Sequence, residues 1–255
     1  MKTRAINLDG TLIQPSLVGV MVLLDRSGSM ASVRTAMTEA FDGFVLEQRA
    51  ENPNGLWLTL DQFDTTGPHQ YSEMAYETIY ERMPIADVGR LQLQPRGWTP
   101  LSDALVQFAK RAKAILADTT DQTERLLLVV ISDGKENAST QHTAAEVKAL
   151  LDGLKSDDCE VIWLGTQESA MEAAAQDYTV PDAMLTWKPT AQGVNYASGG
   201  LRAAATSYRS GGSAVVATAN YVGENVAHKG AAEDWRQITT LEELRQKTAK
   251  LRHGA

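Results

Sequence analysis

Two apolar runs dominate the chain, Leu17-Val-Gly-Val-Met-Val-Leu-Leu24 and Leu126-Leu-Leu-Val-Val-Ile131. Neither alternates with polar residues, which predicts strands buried on both faces of a largely parallel sheet. Leu56-Trp-Leu-Thr-Leu60 continuing to Phe63, Val161-Ile-Trp-Leu164 and Ala183-Met-Leu-Thr-Trp187 predict weaker members of the same sheet. Ala75 to Arg82 alternates and predicts an edge strand, open to antiparallel pairing.

Helical spacing fills the intervals: Ala31 to Ala50, Pro100 to Ala117, Thr143 to Lys155, Gln167 to Gln176 and Ala191 to Tyr208, the last interrupted by Gly199 and Gly200. Strands alternating with helices of this length predict an α/β fold of three layers, a doubly wound and mostly parallel sheet with helices on both faces. After Ser210-Gly-Gly-Ser213 the composition shifts to Ala, Asn, Gly and Glu, and the chain is expected to leave the compact domain there. Within that tail Thr240-Leu-Glu-Glu243 is a capping-box pattern, and Leu241, Leu244 and Leu251 predict a short amphipathic helix.

Composition narrows the function classes. A length of 255 residues with 43% hydrophobic and 22% charged residues suits one substantial core with an appendage. The net charge of −8 lacks the electrostatic footprint of a nucleic-acid binder and argues against an anionic membrane surface. The longest apolar runs fall far short of the ~20 residues a membrane-spanning helix requires. Lys2 and Arg4 lead into Asn7, Asp9 and Gln14 rather than an apolar stretch, so no signal peptide is expected. The single cysteine, Cys159, excludes an internal disulfide, and a soluble cytoplasmic protein is the expectation.

The chemistry concentrates where the strongest strands stop. Asp25-Arg-Ser27-Gly-Ser29 follows the first run, Ser132-Asp133-Gly134 follows the second, and Gly97-Trp-Thr99 precedes a helix start at Pro100. In open α/β sheets ligands collect at the carboxyl ends of strands. Alternating Asp25, Ser27 and Ser29 lets one turn point three oxygens inward, Thr99 adds a hydroxyl, and Asp133 adds a second carboxylate. That set suits a hard divalent cation.

These pieces, within Leu-Leu-Asp-Arg-Ser-Gly-Ser-Met, Arg-Gly-Trp-Thr-Pro-Leu and Val-Ile-Ser-Asp-Gly, resemble a von Willebrand factor type A (VWA) domain carrying a metal-ion-dependent adhesion site, and in particular stand-alone VWA proteins of bacteria and their phages. The likeness implies a VWA domain over 16–209, with an N-terminal extension at 1–15 and a tail at 210–255. It implies that Ser27, Ser29 and Thr99 coordinate Mg²⁺, with Mn²⁺ or Ca²⁺ as alternatives, directly or through water, while Asp25 and Asp133 hold coordinated waters. The open position then goes to an Asp or Glu of a partner protein. Arg26 and Trp98 depart from the usual small residues, and both are expected to shape a partner-binding rim.

Two other readings compete with a non-enzymatic adhesion module. One is a structural or accessory component of a bacterial or phage assembly, a virion included, with a merely stabilising metal. The other is a metal-dependent hydrolase, which lacks an evident base because His69, His142, His228 and His253 are scattered. Asn7-Leu-Asp9-Gly-Thr11 resembles the opening of haloacid-dehalogenase phosphatases but has Asn7 where their nucleophile stands. No glycine-rich phosphate loop is present. Asn137-Ala-Ser139 matches a glycosylation sequon by chance, Trp57, Trp163 and Trp187 are assigned to the core, and Asp61 and Asp64 to a solvated acidic loop rather than a second cation site.

Overall fold

The two strongest runs lie side by side. β1 (Val18–Asp25) and β4 (Arg125–Ser132) pair in parallel at the centre of a six-stranded sheet, in register from Val18 against Arg125 to Leu24 against Ile131. The structure is a computed structural model and describes residues 17–118, 125–154, 159–166 and 183–228.

β2 (Leu56–Thr65) flanks β1, and β3 (Met74–Pro84) closes that edge; it is the edge strand its alternation predicts, and it pairs antiparallel. On the other side β4 is followed by β5 (Cys159–Thr166) and β6 (Ala183–Trp187), both parallel. The order β3-β2-β1-β4-β5-β6 therefore grows outward in opposite directions from the β1/β4 pair. A crevice at the carboxyl ends of these two strands is the topological switch point, where open α/β sheets place ligands. Asp25 ends one strand and Ser132 the other.

The unbroken apolar runs are explained by two cores. Val20, Val22 and Leu24 face α1 (Arg34–Glu51) and α4 (Ala191–Arg209), while Met21 and Leu23 face α2 (Leu101–Ala117) and α3 (Ala144–Asp152). Successive side chains of a strand point to opposite faces, so a strand buried on both sides must be apolar throughout.

The expected domain boundary at 209 is corrected. Ser210-Gly-Gly-Ser213 is a tight turn in which Gly211 takes φ +80°, and the chain continues as α5 (Ala214–His228), burying Ala214, Thr218 and Val222. Its Tyr221 ring lies 5.5 Å from that of Tyr196 on α4. Gly199 and Gly200 do not break α4 but admit its neighbours. A Cβ on Gly199 would fall 2.1 Å from the Tyr221 hydroxyl, and one on Gly200 would fall 2.8 Å from Leu185.

The helix predicted at 167–176, the amphipathic helix near 240–251 and the Asn7–Thr11 segment lie outside the described residues. No helix among the described residues is long and apolar enough to cross a membrane.

Candidate metal centre

Asp25 is fully buried at the end of β1, and its two oxygens are held separately. Oδ1 accepts the Ser27 backbone N–H at 2.7 Å, and Oδ2 accepts the Ser132 hydroxyl at 2.6 Å. The parallel register that sets Leu24 beside Ile131 also delivers Ser132 to Asp25.

Beyond Asp25 the chain turns into a short 3₁₀ helix, Gly28–Val33, which carries Ser29 back over the strand ends. The Ser27 and Ser29 hydroxyl oxygens are 3.1 Å apart, and Ser29 donates to Oδ1 of Asp133 at 2.6 Å. Thr99 arrives from a third loop. Its N–H donates to the Asn137 side-chain oxygen at 2.8 Å, and its carbonyl accepts the Asn137 N–H at 3.2 Å. Gly97 adopts φ +62° and packs on Thr65, where a Cβ would fall 2.6 Å from the Thr65 carbonyl oxygen, so glycine is required.

The three loops converge on one point. A Cβ placed on Gly134 would lie 3.0 Å from Thr99 Oγ1, 3.4 Å from Asp25 Oδ2 and 3.5 Å from Ser29 Oγ. Asp25, Ser27 and Thr99 form a buried floor, while Ser29 is exposed and Asp133 half-buried at the mouth.

Burial pushes the Asp25 carboxyl up from an ordinary 3.8 to about 7, against the hydrogen bonds from Ser132 and Ser27, and it raises the Asp133 carboxyl as well. Burial thus disfavours the charged form of both carboxyls, a cost that a cation beside them would offset. The donors are all oxygen, two carboxylates and three hydroxyls, which fits a hard divalent cation and not one that prefers imidazole or thiolate. Among the described residues no cluster of three or more Asp, Glu, His or Cys exists that could hold an ion, so any ion here depends on the hydroxyls.

No protein-family model matches the sequence, and no curated protein is detectably similar to it. Solved structures are similar. The pilus adhesin SpaC from Lactobacillus rhamnosus GG, in its open conformation, superposes with a TM-score of 0.54 at 15% identity, over 82% of this chain and 30% of that one. The SpRpn10 VWA domain matches at 14% identity and a TM-score of 0.41, over 71% of this chain and 93% of that one. Proximal thread matrix protein 1 from the mussel byssus, with a zinc-occupied MIDAS motif, matches at 16% identity and a TM-score of 0.46, over 71% of this chain and 46% of that one. The chain shares its fold with the SpaC structure. It spans less than half the length of the byssus protein and about a third of SpaC.

The structure brings Asp25, Ser27, Ser29, Thr99 and Asp133 together, but Arg26 is not on the rim. It is only 6% exposed, and its guanidinium turns away from the oxygen cluster to Asp64 at 2.9 Å and Glu77 at 2.6 Å. The alternation that points Asp25 and Ser27 inward sends the residue between them under the neighbouring strand. Trp98 does stand at the surface, 37% exposed, with its indole N–H donating to the Pro68 carbonyl at 2.8 Å.

Asp61 and Asp64 are likewise corrected. Both are fully buried in β2 and satisfied by protein groups: Asp61 by Tyr76, Thr78 and Arg111, and Asp64 by Arg26 and Arg96. Their partners lie about 15 to 50 residues away, so no local pattern marks them as paired.

Four supporting residues were not marked as site residues by the sequence. Ser132 orients Asp25, and Asn137 fixes Thr99. Glu136 accepts the Ser102 N–H at 2.7 Å, and Asp103 accepts the backbone N–H groups of Thr140 and His142 at 2.9 and 2.8 Å. Together the last two knit the start of α2 to the loop after β4. Ser139 of the sequon joins this brace, its hydroxyl donating to Glu136 at 2.6 Å and accepting the Asp103 N–H at 3.1 Å.

Proposed function

We propose that this VWA-fold chain is a metal-dependent protein-interaction module, with Asp25, Ser27, Ser29, Thr99 and Asp133 holding Mg²⁺ and an Asp or Glu of another protein completing the site. The observation that carries this reading is the convergence of oxygens from three loops on the point beside Gly134.

When bound, the cation supplies an electrophilic centre for an anionic ligand. The chain's own residues do the positioning. Ser132 and the Ser27 N–H hold the Asp25 carboxylate at both oxygens, Asn137 holds Thr99 at both backbone groups, and the hydroxyls contribute oxygens without adding charge. An ion held largely by neutral oxygens keeps charge available for an incoming carboxylate. The Ser27 and Ser29 hydroxyls lie 3.1 Å apart and Ser29 donates to Asp133, so these oxygens are already gathered where an ion would sit. SpaC, which shares the fold, is a pilus adhesin.

The test is calorimetric titration with Mg²⁺ and Mn²⁺, followed by partner capture from source-cell lysate with and without chelator. Wild type should bind the ion and capture a partner only when metal is present. Asp25→Ala and Asp133→Ala should lose both properties while remaining folded by circular dichroism. Capture that is indifferent to chelator and to both substitutions defeats the reading.

A further inference from the structure

Asp64 takes no part in the oxygen cluster, yet each of its two oxygens serves a different ligand-bearing loop. Oδ1 accepts from Arg26 at 2.9 Å, and Arg26 is the residue between Asp25 and Ser27. Oδ2 accepts from Nε of Arg96 at 2.6 Å, and Arg96 begins the Arg96-Gly-Trp-Thr99 loop. The carboxylate between them is fully buried at the end of β2.

The two loops are also stitched by backbone at the same place. Arg96 N–H donates to the Arg26 carbonyl at 2.9 Å, Gly28 N–H donates to the Gly97 carbonyl at 3.2 Å, and Arg26 N–H donates to the Phe63 carbonyl at 2.9 Å. Thr65, next to Asp64, accepts the Trp98 N–H on its hydroxyl at 2.9 Å. The end of β2 is thus a common post for the loops carrying Ser27, Ser29 and Thr99.

We infer that Asp64 is a positioning residue, which clamps the Asp25–Ser29 loop to the Gly97–Thr99 loop through Arg26 and Arg96 and so sets the spacing of their oxygens. This rests on the reading of those oxygens as a metal site. Hydrogen bonds between ionised partners are short and roughly twice as strong as neutral ones. Without the carboxylate, Arg26 keeps, among the described residues, Glu77 and a 3.4 Å contact to Gln62, and Arg96, 56% exposed, loses its anchor to β2. An isosteric amide cannot serve two guanidinium groups through acceptor oxygens, since one of its two positions is a donor.

The same strand offers an internal control. Asp61 is equally buried and bound to an arginine, but its partners Tyr76, Thr78 and Arg111 belong to β3 and α2 rather than to either loop. Loss of Asp61 should cost stability without moving the oxygens.

The experiment compares Asp64→Asn, Arg96→Gln, their combination and Asp61→Asn in the full chain, at a temperature where each is folded by circular dichroism. Mn²⁺ affinity is read by calorimetry, and exchange of the Gly28 and Arg96 amides is read by NMR without metal. Asp64→Asn is expected to weaken Mn²⁺ about tenfold or more and Arg96→Gln about threefold or more, with the double variant no worse than Asp64→Asn alone. Both should speed exchange at the two amides, whereas Asp61→Asn should stay within about twofold of wild type in affinity and leave those amides protected.

Unchanged amide exchange in Asp64→Asn and Arg96→Gln overturns the inference, as does an equal loss of affinity in Asp61→Asn. If Asp64→Asn does not fold, Arg96→Gln decides alone, because its side chain is largely solvent-exposed. A wild-type chain that binds no Mn²⁺ sinks the metal reading, while the amide exchange still reports whether Asp64 clamps the loops.

Discussion

The Ser29 hydroxyl donates to Asp133 Oδ1 at 2.6 Å across 104 residues of sequence, closing the mouth of the oxygen cluster with two of its own members. An arriving cation would compete for both oxygens at once. Ser29→Ala should therefore leave the fold nearly intact, at a cost under about 1 kcal/mol because the residue is exposed. Affinity for Mg²⁺ or Mn²⁺ should fall about tenfold or more. Unaltered affinity by calorimetry removes Ser29 from the ligand set.

Gly134 can be read as a space rather than a hinge. Its φ is not positive, so alanine is acceptable to the backbone, yet the new methyl would sit 3.0 Å from Thr99 Oγ1 among the converging oxygens. Gly134→Ala should thus abolish metal binding while shifting stability by no more than about 1 kcal/mol. A variant that still binds the ion tightly would show that the metal sits elsewhere.

Burial sets the pH dependence through Asp25, whose carboxyl is raised from 3.8 to about 7. A carboxyl raised in the folded state contributes stability that is fully present below its unfolded value and is lost as pH rises through its folded one. Metal needs the ionised form, so its affinity runs the other way. The rise in melting temperature produced by Mg²⁺ should be large near pH 8 and shrink steadily below about pH 7, with affinity falling by up to about tenfold per pH unit. Asp25→Asn should flatten that profile, and a wild-type response that is already flat between about pH 6 and 8 would contradict the assignment.

Two helical glycines should respond with opposite signs. Gly43 in α1 has open space where a Cβ would go, so Gly43→Ala should stabilise by about 0.5–1 kcal/mol. A Cβ on Gly199 in α4 would fall 2.1 Å from the Tyr221 hydroxyl of α5, so Gly199→Ala should destabilise by about 1–3 kcal/mol and loosen α5. Urea unfolding measures both effects, and faster proteolysis near α5 should accompany only the second. Stabilisation by Gly199→Ala would place α5 off the body of the domain.

The strands were legible because burial on two faces leaves a local mark. Leu17 to Leu24 and Leu126 to Ile131 had to be apolar at every position, and both run within one residue of the observed β1 and β4. The oxygen set was legible for a related reason, since each piece that contributes to it is a short local motif at a strand or helix end. Arg26 and Asp64 were not. Charge on a residue signals solvent by default, and only a partner supplied from far along the chain reverses that expectation. The turn at Ser210–Ser213 misled in the same way, because glycine and serine mark a linker and a tight reversal alike.

Sequence alone determined the six described strands and most of the described helices, though not Ala214–His228, and it marked the oxygens that gather beyond β1 and β4, because periodicity and strand-end placement are properties of neighbouring residues. Tertiary structure decided that Asp25 is buried to the point of raising its carboxyl, that Asn137 and Ser132 hold Thr99 and Asp25 in place, and that Asp64 joins two loops through Arg26 and Arg96. Those are long-range contacts created by the strand order. Desolvation and charge pairing depend on what surrounds a side chain, not on what precedes it.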